Sequence, residues 1–582
     1  MATPARTPPP RTRRPAGRHA TPRPGGSSRA GPGEGARPGG VEATSQPRSG
    51  PANLTRILLH PLTLICAVQA AASLTLVWSN TAFTDEADYL RLGHLLIQHW
   101  LHGKSWPAAY GGKVLSGSPV IYPPLGALAD SLGGLAGARI LSLIFMLAAT
   151  VLVYRTAARL LGTTQAVIAA ALWAFSEPVL RLAFATYDPM SVFLVALTAW
   201  LAAESGYRRR GRAFLVSSAA ALGLAVAVAY SAIAIVPVVI VFAFLAWWHR
   251  FDTRLALYRT ATLTVLAAAV FALMITASGS WAGIAFTVLN RKVNDYQPAL
   301  LIIGDVARFS GLIMVLALIG AAAATREPDR RFGLLVGLLG VTALVVPAAQ
   351  LYMRTAWALD KHVAYGMWFA SIAGGYGCMA IARWLGLAGI RSPRAVLTAG
   401  LTALAVVAAA NWQLAFTTFR SWPDATSFVT AFEQVAPRNT GMIYGSAQKR
   451  VAAYYAPEGA QWWLWNVTAM SLDPPGPRSR WYSYFATRLR TAGYGLIALF
   501  YENPRGMRLP SSTMVSSGDV GRLGRELGRL GAMKLSEPGV PVLTRALALD
   551  HEFRLVAVGP YDSHVQDGIY AIWLRKPQAP AA

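Results

Sequence analysis

The sequence predicts a polytopic α-helical membrane protein, with about eleven spanning helices, followed by a C-terminal α/β domain outside the bilayer. Three observations carry that prediction. Hydrophobic residues occupy 54% of the 582 positions and charged residues only 14%, a balance that no string of soluble domains has. Apolar segments of spanning length recur up to residue 415, joined by short loops rich in arginine. Beyond residue 415 polar residues rise and the apolar runs shrink to strand length.

Residues 1–55 come first. The stretch "MATPARTPPPRTRRPAGRHATPRPGG" is Pro, Arg and Gly with almost no large apolar side chain, so it cannot bury enough surface to offset its ordering entropy. It is expected to be a disordered cytoplasmic tail attracted to anionic headgroups. The net charge of +26 invites a nucleic-acid reading, but no aromatic or folded reading module accompanies the arginines, and no nucleic-acid partner is expected. The next apolar segment is of full spanning length and lacks a cleavage site, which argues against a signal peptide. Cys66 and Cys378 both lie in apolar stretches, so no disulfide framework or cysteine metal site follows.

The membrane region, 56–418, contains spans expected near 57–79, 137–154, 165–183, 188–204, 213–230, 231–248, 260–278, 306–324, 333–351, 363–383 and 395–415. Alternate connections carry Arg155 and Arg159, "YRRRGR", Arg250 with Arg254 and Arg259, "TREPDRR", and Arg383 with Arg391 and Arg394. The positive-inside rule puts these loops and the N-terminus in the cytoplasm of a multi-pass plasma-membrane protein. The first outer loop, 80–137, and the C-terminus then face outward.

Residues 419–582 alternate strand-like "GMIYG", "YGLIALFY", "FRLVAVG" and "GIYAIWLRK" with helix-like "DATSFVTAFEQVA" and "DVGRLGRELGRLGAMK". That order implies a small extracytoplasmic α/β domain. No Gly-rich phosphate loop opens its helices, so no nucleotide chemistry is assigned to it.

The chemistry concentrates in the outer loops. In "TDEADYLRLGHLLIQHW" a helical wheel gathers Asp88, Arg91, His94, Gln98 and His102 on one arc opposite leucines, which predicts an amphipathic helix on the outer membrane surface. Asp85 and Glu86 in its first turn suit helix capping. A carboxylate at this boundary also suits removal of a proton from a substrate hydroxyl. Asp188, ahead of Pro189 at the start of the fourth span, reads the same two ways: as a helix cap, or as a second acid of a shared cavity. Arg181, Arg291, Lys292, Arg354, Lys361 and His362 are outer cations that the topology rule does not place there. Snorkelling explains such residues; so does a clamp on an anionic lipid headgroup, for which Lys361 and His362 are best placed. His94, His99 and His102 share one helix, but His99 falls off the polar arc, and no metal site is expected.

The acidic pair in "TDEADYL", the run "YPPLGALADSLGGLAGARILSLIF" and the Asp opening the fourth span together resemble the GT-C type glycosyltransferases. The nearest branches are protein O-mannosyltransferase-like and aminoarabinose-transferase-like, and the resemblance covers residues 55–415. It implies a GT-C fold and a polyprenyl-phosphate sugar donor whose lipid stays in the bilayer. It implies Asp85 as general base, Glu86 as its motif partner and Asp188 as the second acid. Lys361 and His362, with Arg354 and Arg181, fall to the donor phosphate; Asp88, Tyr89, Tyr122 and Tyr187 fall to the substrate cavity. Inversion at the anomeric carbon and no cofactor or divalent metal are further implications. The acceptor is a glycan, lipid, cell-wall polymer or protein, and the absence of a β-trefoil-like repeat weakens the protein option. The rival readings are a secondary transporter or lipid flippase, and a noncatalytic assembly platform.

Overall fold

In the computed structural model, residues 60–576 are described except 107–114, 208–210, 290–295, 357, 387–392, 440–441, 446–448, 456–469, 504–505, 511, 517, 534–536 and 564–566. The N-terminal tail, Arg291, Lys292 and Arg391 lie outside the described residues. Residues 55–582 form one compact unit.

Helices occupy every predicted apolar segment. They are α1 (Pro61–Val77), α2 (Thr84–His102), α3 (Tyr122–Leu160), α4 (Thr163–Ala174), α5 (Glu177–Arg181), α6 (Tyr187–Ser205), α7 (Gly211–Val228), α8 (Val236–Trp248), α9 (Thr253–Ala277), α10 (Ala299–Ala324), α11 (Arg330–Val341), α12 (Val345–Met353), α13 (Leu359–Trp384) and α14 (Pro393–Phe419). Among the described residues, six helical segments are long and apolar enough to cross a membrane by length and composition. Two of the predicted spans have physical breaks. The helix over 165–183 stops at Phe175 and restarts at Glu177–Pro178, where proline's missing N–H falls in a first turn and leaves no bond unmade. The span over 231–248 opens as a 3₁₀ turn, Tyr230–Ile235, ahead of Pro237.

The helices that carry the site pack closely through small residues. A methyl group on Gly377 of α13 would sit 2.1 Å from the Leu316 carbonyl oxygen of α10, and one on Gly320 would sit 2.2 Å from that of Ala373. Backbone contact of this kind fixes α13 against α10 without relying on a hydrophobic driving force, which lipid does not supply between helices. Helix α3 breaks at Gly133 and Gly134, the latter at φ 60°, a conformation that a side chain would strain. The break separates the segment that carries Asp130 from the long span that carries Arg139.

All four predicted strands form. β1 (Met442–Gly445), β2 (Tyr494–Glu502), β3 (Phe553–Pro560) and β4 (Gly568–Arg575) make one mixed sheet in the order β1-β2-β4-β3, with β1 parallel to β2 and the other pairs antiparallel. Strand alternation sends Leu496, Ala498 and Phe500 to one face and Ile497, Leu499 and Tyr501 to the other. The second face is covered by α17 (Trp481–Thr491), α18 (Val520–Leu527) and α19 (Val540–Leu549). The first packs on α15 (Thr426–Val435) and α16 (Lys449–Tyr455), and its core takes in Ala82 and Ala87 from the start of α2.

The linker between bundle and sheet is gripped by the loop before α2. Asn80 Nδ2 donates to the carbonyls of Phe419 and Trp422, the Ala425 N–H donates to Thr81 Oγ1, and Trp422 Nε1 donates to the Thr81 carbonyl.

Candidate active site

Helix α2 corrects one expectation. It was predicted to lie on the membrane surface with one polar arc toward water, yet residues 86–90 are all buried and only the last turn is exposed. Its polar groups are instead taken up by buried partners. Glu86 is fully buried and forms a two-point ion pair with the equally buried Arg139, at 2.9 Å from Nε and 2.7 Å from Nη2. The same carboxylate accepts the N–H of Phe83, just before the helix, and of Ala185, ahead of α6, both at 2.9 Å. Arg139 spends its remaining donors on the carbonyls of Val77, Asn80 and Thr81. One ion pair thereby ties the end of α1, the start of α2, the span of α3 and the approach to α6.

Asp85 faces the other way, on an accessible rim. Lys361 Nζ stands 3.5 Å from Asp85 Oδ2 and 3.2 Å from Asp188 Oδ2, and His362 Nε2 stands 3.6 Å from Asp188 Oδ1. The fold therefore gathers one acid from the first turn of α2, one from the start of α6 and two basic groups from the first turn of α13. Asp188 does not act as the helix cap: Thr186 holds that position, and its hydroxyl donates to Asp188 Oδ2 at 3.3 Å. Arg181, delivered by the short α5, pairs with Asp360, a residue that the sequence reading passed over. Asp85, Arg181, Asp360 and Lys361 line one open cleft with an empty volume of about 590 Å³, whose apolar wall includes Phe83, Leu182 and Phe184.

Arg354 stands apart. It closes the C-terminus of α12 in the left-handed region at φ 54°, its side chain is exposed, and among the described residues no ion pair joins it to the cluster. Ala358, at φ 57°, also lies in the left-handed region just before α13 and lines the cleft. Both ends of this connection thus hold a conformation that L side chains avoid.

Tyr89, Tyr122 and Tyr187 form a buried aromatic group, with ring centroids 4.3 Å apart for Tyr89–Tyr187 and 5.7 Å for Tyr122–Tyr187. Burial, then the Asp85 carboxylate nearby, pushes the Tyr89 phenol well above its ordinary range, so it stays protonated beside Ser116.

Asp88 is buried and pairs with Arg450 of α16 at 3.3 Å. His94 contacts Asp130 at 2.6 Å, and the Tyr454 hydroxyl donates to the other Asp130 oxygen at 2.6 Å. The three histidines of α2 do not converge, since His99 contacts the Lys104 carbonyl instead. Among the described residues no group of three or more metal-ligating side chains forms. Arg139, Asp130, Asp360 and Arg450 escaped the sequence reading because each acts through a partner distant in the chain.

Residues 127–275 match the model of the dolichyl-phosphate-mannose-protein mannosyltransferase family. The oligosaccharyltransferase of Archaeoglobus fulgidus in the apo form is similar in structure, with TM-score 0.51 and 14% identity over 75% of this chain and 69% of that one. The archaeal oligosaccharyltransferase AglB from Archaeoglobus fulgidus, in complex with an inhibitory peptide and a dolichol-phosphate, gives TM-score 0.51 and 13% identity over 85% and 79%. ArnT from Cupriavidus metallidurans bound to undecaprenyl phosphate gives TM-score 0.48 and 14% identity over 78% and 95%. A sequence search of curated proteins finds no match. The chain thus shares the fold of these oligosaccharyltransferase structures, and about a quarter of it matches the mannosyltransferase family model. That family match runs from the first turns of α3 into α9.

Proposed function

We propose that the protein is an inverting glycosyltransferase that moves a sugar from a polyprenyl-phosphate donor to an acceptor hydroxyl at the outer face of the cell membrane. The observation that carries this reading is the Lys361 ammonium held between Asp85 and Asp188, at 3.5 and 3.2 Å, beside an open cleft. The dolichol-phosphate bound to the archaeal relative of the same fold supports a lipid phosphate as donor headgroup.

In the proposed reaction the acceptor hydroxyl attacks the anomeric carbon on the face opposite the phosphate. Asp85 takes the hydroxyl proton as the new C–O bond forms. The bond to the phosphate oxygen breaks, and its electron pair leaves with the polyprenyl phosphate, whose growing charge Lys361, His362 and Arg181 stabilise. Each of these cations already has a carboxylate partner, so the donor phosphate must take over one of them. Asp85, the more distant of the two Lys361 partners, is the one exchanged. Donor binding thereby frees the base at the moment it is needed. Asp188 keeps Lys361 and His362 in place, and Glu86, with every oxygen occupied, fixes the turn that presents Asp85. No metal is part of this scheme.

Purified protein incubated with a panel of polyprenyl-phosphate sugars and a cell-envelope glycan extract should release polyprenyl phosphate and give a product of inverted anomeric configuration. Movement of intact donor across vesicles without sugar release would instead favour the flippase reading.

A further inference from the structure

The α/β domain meets α2 through the short helix α16. α16 touches α2 and its surroundings at three levels. The Ala82 N–H, before the helix, donates to the Tyr455 hydroxyl at 2.8 Å. Arg450 Nη1 lies 3.3 Å from the buried Asp88 carboxylate, one turn beyond Asp85. Tyr454 donates to Asp130, which is also held by His94 two turns further along. Apolar packing follows the same line, because Val451, Ala452 and Ala453 share a core with Ala82 and Ala87. Burial pushes the Tyr455 phenol up to about 12, so it remains a neutral, fixed partner at physiological pH.

The site itself uses only bundle residues. Glu86 and Arg139 fix the start of α2 from the bundle side, and Arg450 meets Asp88 from the domain side. We propose that Arg450, supplied by the α/β domain, is a positioning residue for sugar transfer: through its ion pair with Asp88 it sets the rotation of the first turns of α2, and so the reach of Asp85 to the acceptor hydroxyl. The proposal rests on the glycosyltransferase reading above. In it the domain completes the bundle's site, and displacement of α16 would switch transfer down while the donor cleft stays formed.

The test compares wild type with Arg450→Ala, Arg450→Lys and Asp88→Asn, in the full chain in detergent or nanodiscs, with a polyprenyl-phosphate sugar that the wild type uses. Two quantities are read: kcat and donor KM from released polyprenyl phosphate, and hydrogen exchange of the amides of residues 84–93. Arg450→Ala and Asp88→Asn should lower kcat about 10–100-fold, the loss that misplacing a reacting group by about 1 Å produces, with donor KM unchanged and exchange in 84–93 faster. Arg450→Lys keeps the positive charge opposite Asp88 and should recover part of the rate. Wild-type kcat in Arg450→Ala, unchanged exchange in 84–93, or a lysine variant as slow as the alanine one would each overturn the proposal. If Arg450→Ala does not fold, Asp88→Asn carries the same expectations. A wild type that uses no donor in the panel defeats the glycosyltransferase reading, and the exchange measurement still decides whether Arg450 holds α2.

Discussion

The Lys361 ammonium lies 3.2 Å from the Asp188 carboxylate, joining the first turn of α13 to the first turn of α6 at one end of the bundle. Asp85 approaches the same ammonium at 3.5 Å. With Lys361 present the two acids share a cation; without it they lose that partner, and of the cleft's two cationic side chains only Arg181 remains.

Lys361→Met should therefore lower kcat/KM for donor about 10²–10³-fold, the range found when a group stabilising a developing anion is removed. Initial rates of polyprenyl phosphate release check this. The defect should be larger for release from the donor than for binding of an uncharged prenol, which has no phosphate to hold.

Glu86 and Arg139 predict a different outcome. Both side chains are fully buried, and removing one partner strands the other charge, at about 3–5 kcal/mol. Glu86→Gln or Arg139→Met should lower thermal stability in detergent strongly, whereas Asp85→Asn, on the cleft rim, should unfold close to wild type. Differential scanning fluorimetry of the three variants side by side makes the comparison.

The scheme needs no metal, so extensive treatment with EDTA should leave transfer unchanged. Loss of activity restored by a divalent cation would show that the acids hold a metal during turnover.

The proposed orientation can be read without a substrate. With Cys66 and Cys378 replaced by serine, Trp100→Cys near the exposed end of α2 should react with a membrane-impermeant maleimide in intact cells. Reaction only after permeabilisation would put the site on the cytoplasmic side.

The sequence made some of this site readable and hid the rest, for one physical reason. Asp85, Asp188, Lys361 and His362 stood out because charges beside spans are conspicuous and topology assigns them to one side, and the fold brings all four together. The four strands were legible because each is a short apolar run ended by Gly or a polar turn. What could not be read was pairing. Glu86 looks like Asp85's twin in the sequence, yet its neighbour in space is Arg139, in the next span. Asp88 sits on a polar arc that suggested water, and the group that meets it is Arg450 from the far domain. A helical wheel records which residues share a face, not what covers it. Arg354 illustrates the converse: its position suggested a phosphate clamp, and the fold places it at an exposed left-handed helix end, with no ion pair to the cluster among the described residues.

The most direct test of the central claim is Asp85→Asn assayed with the polyprenyl-phosphate sugar that the wild type turns over. Loss of the general base should lower kcat about 10²–10⁴-fold, with the donor still bound and the fold intact. Sugar transfer at the wild-type rate by Asp85→Asn would contradict the assignment of this carboxylate, and with it the mechanism proposed for the site.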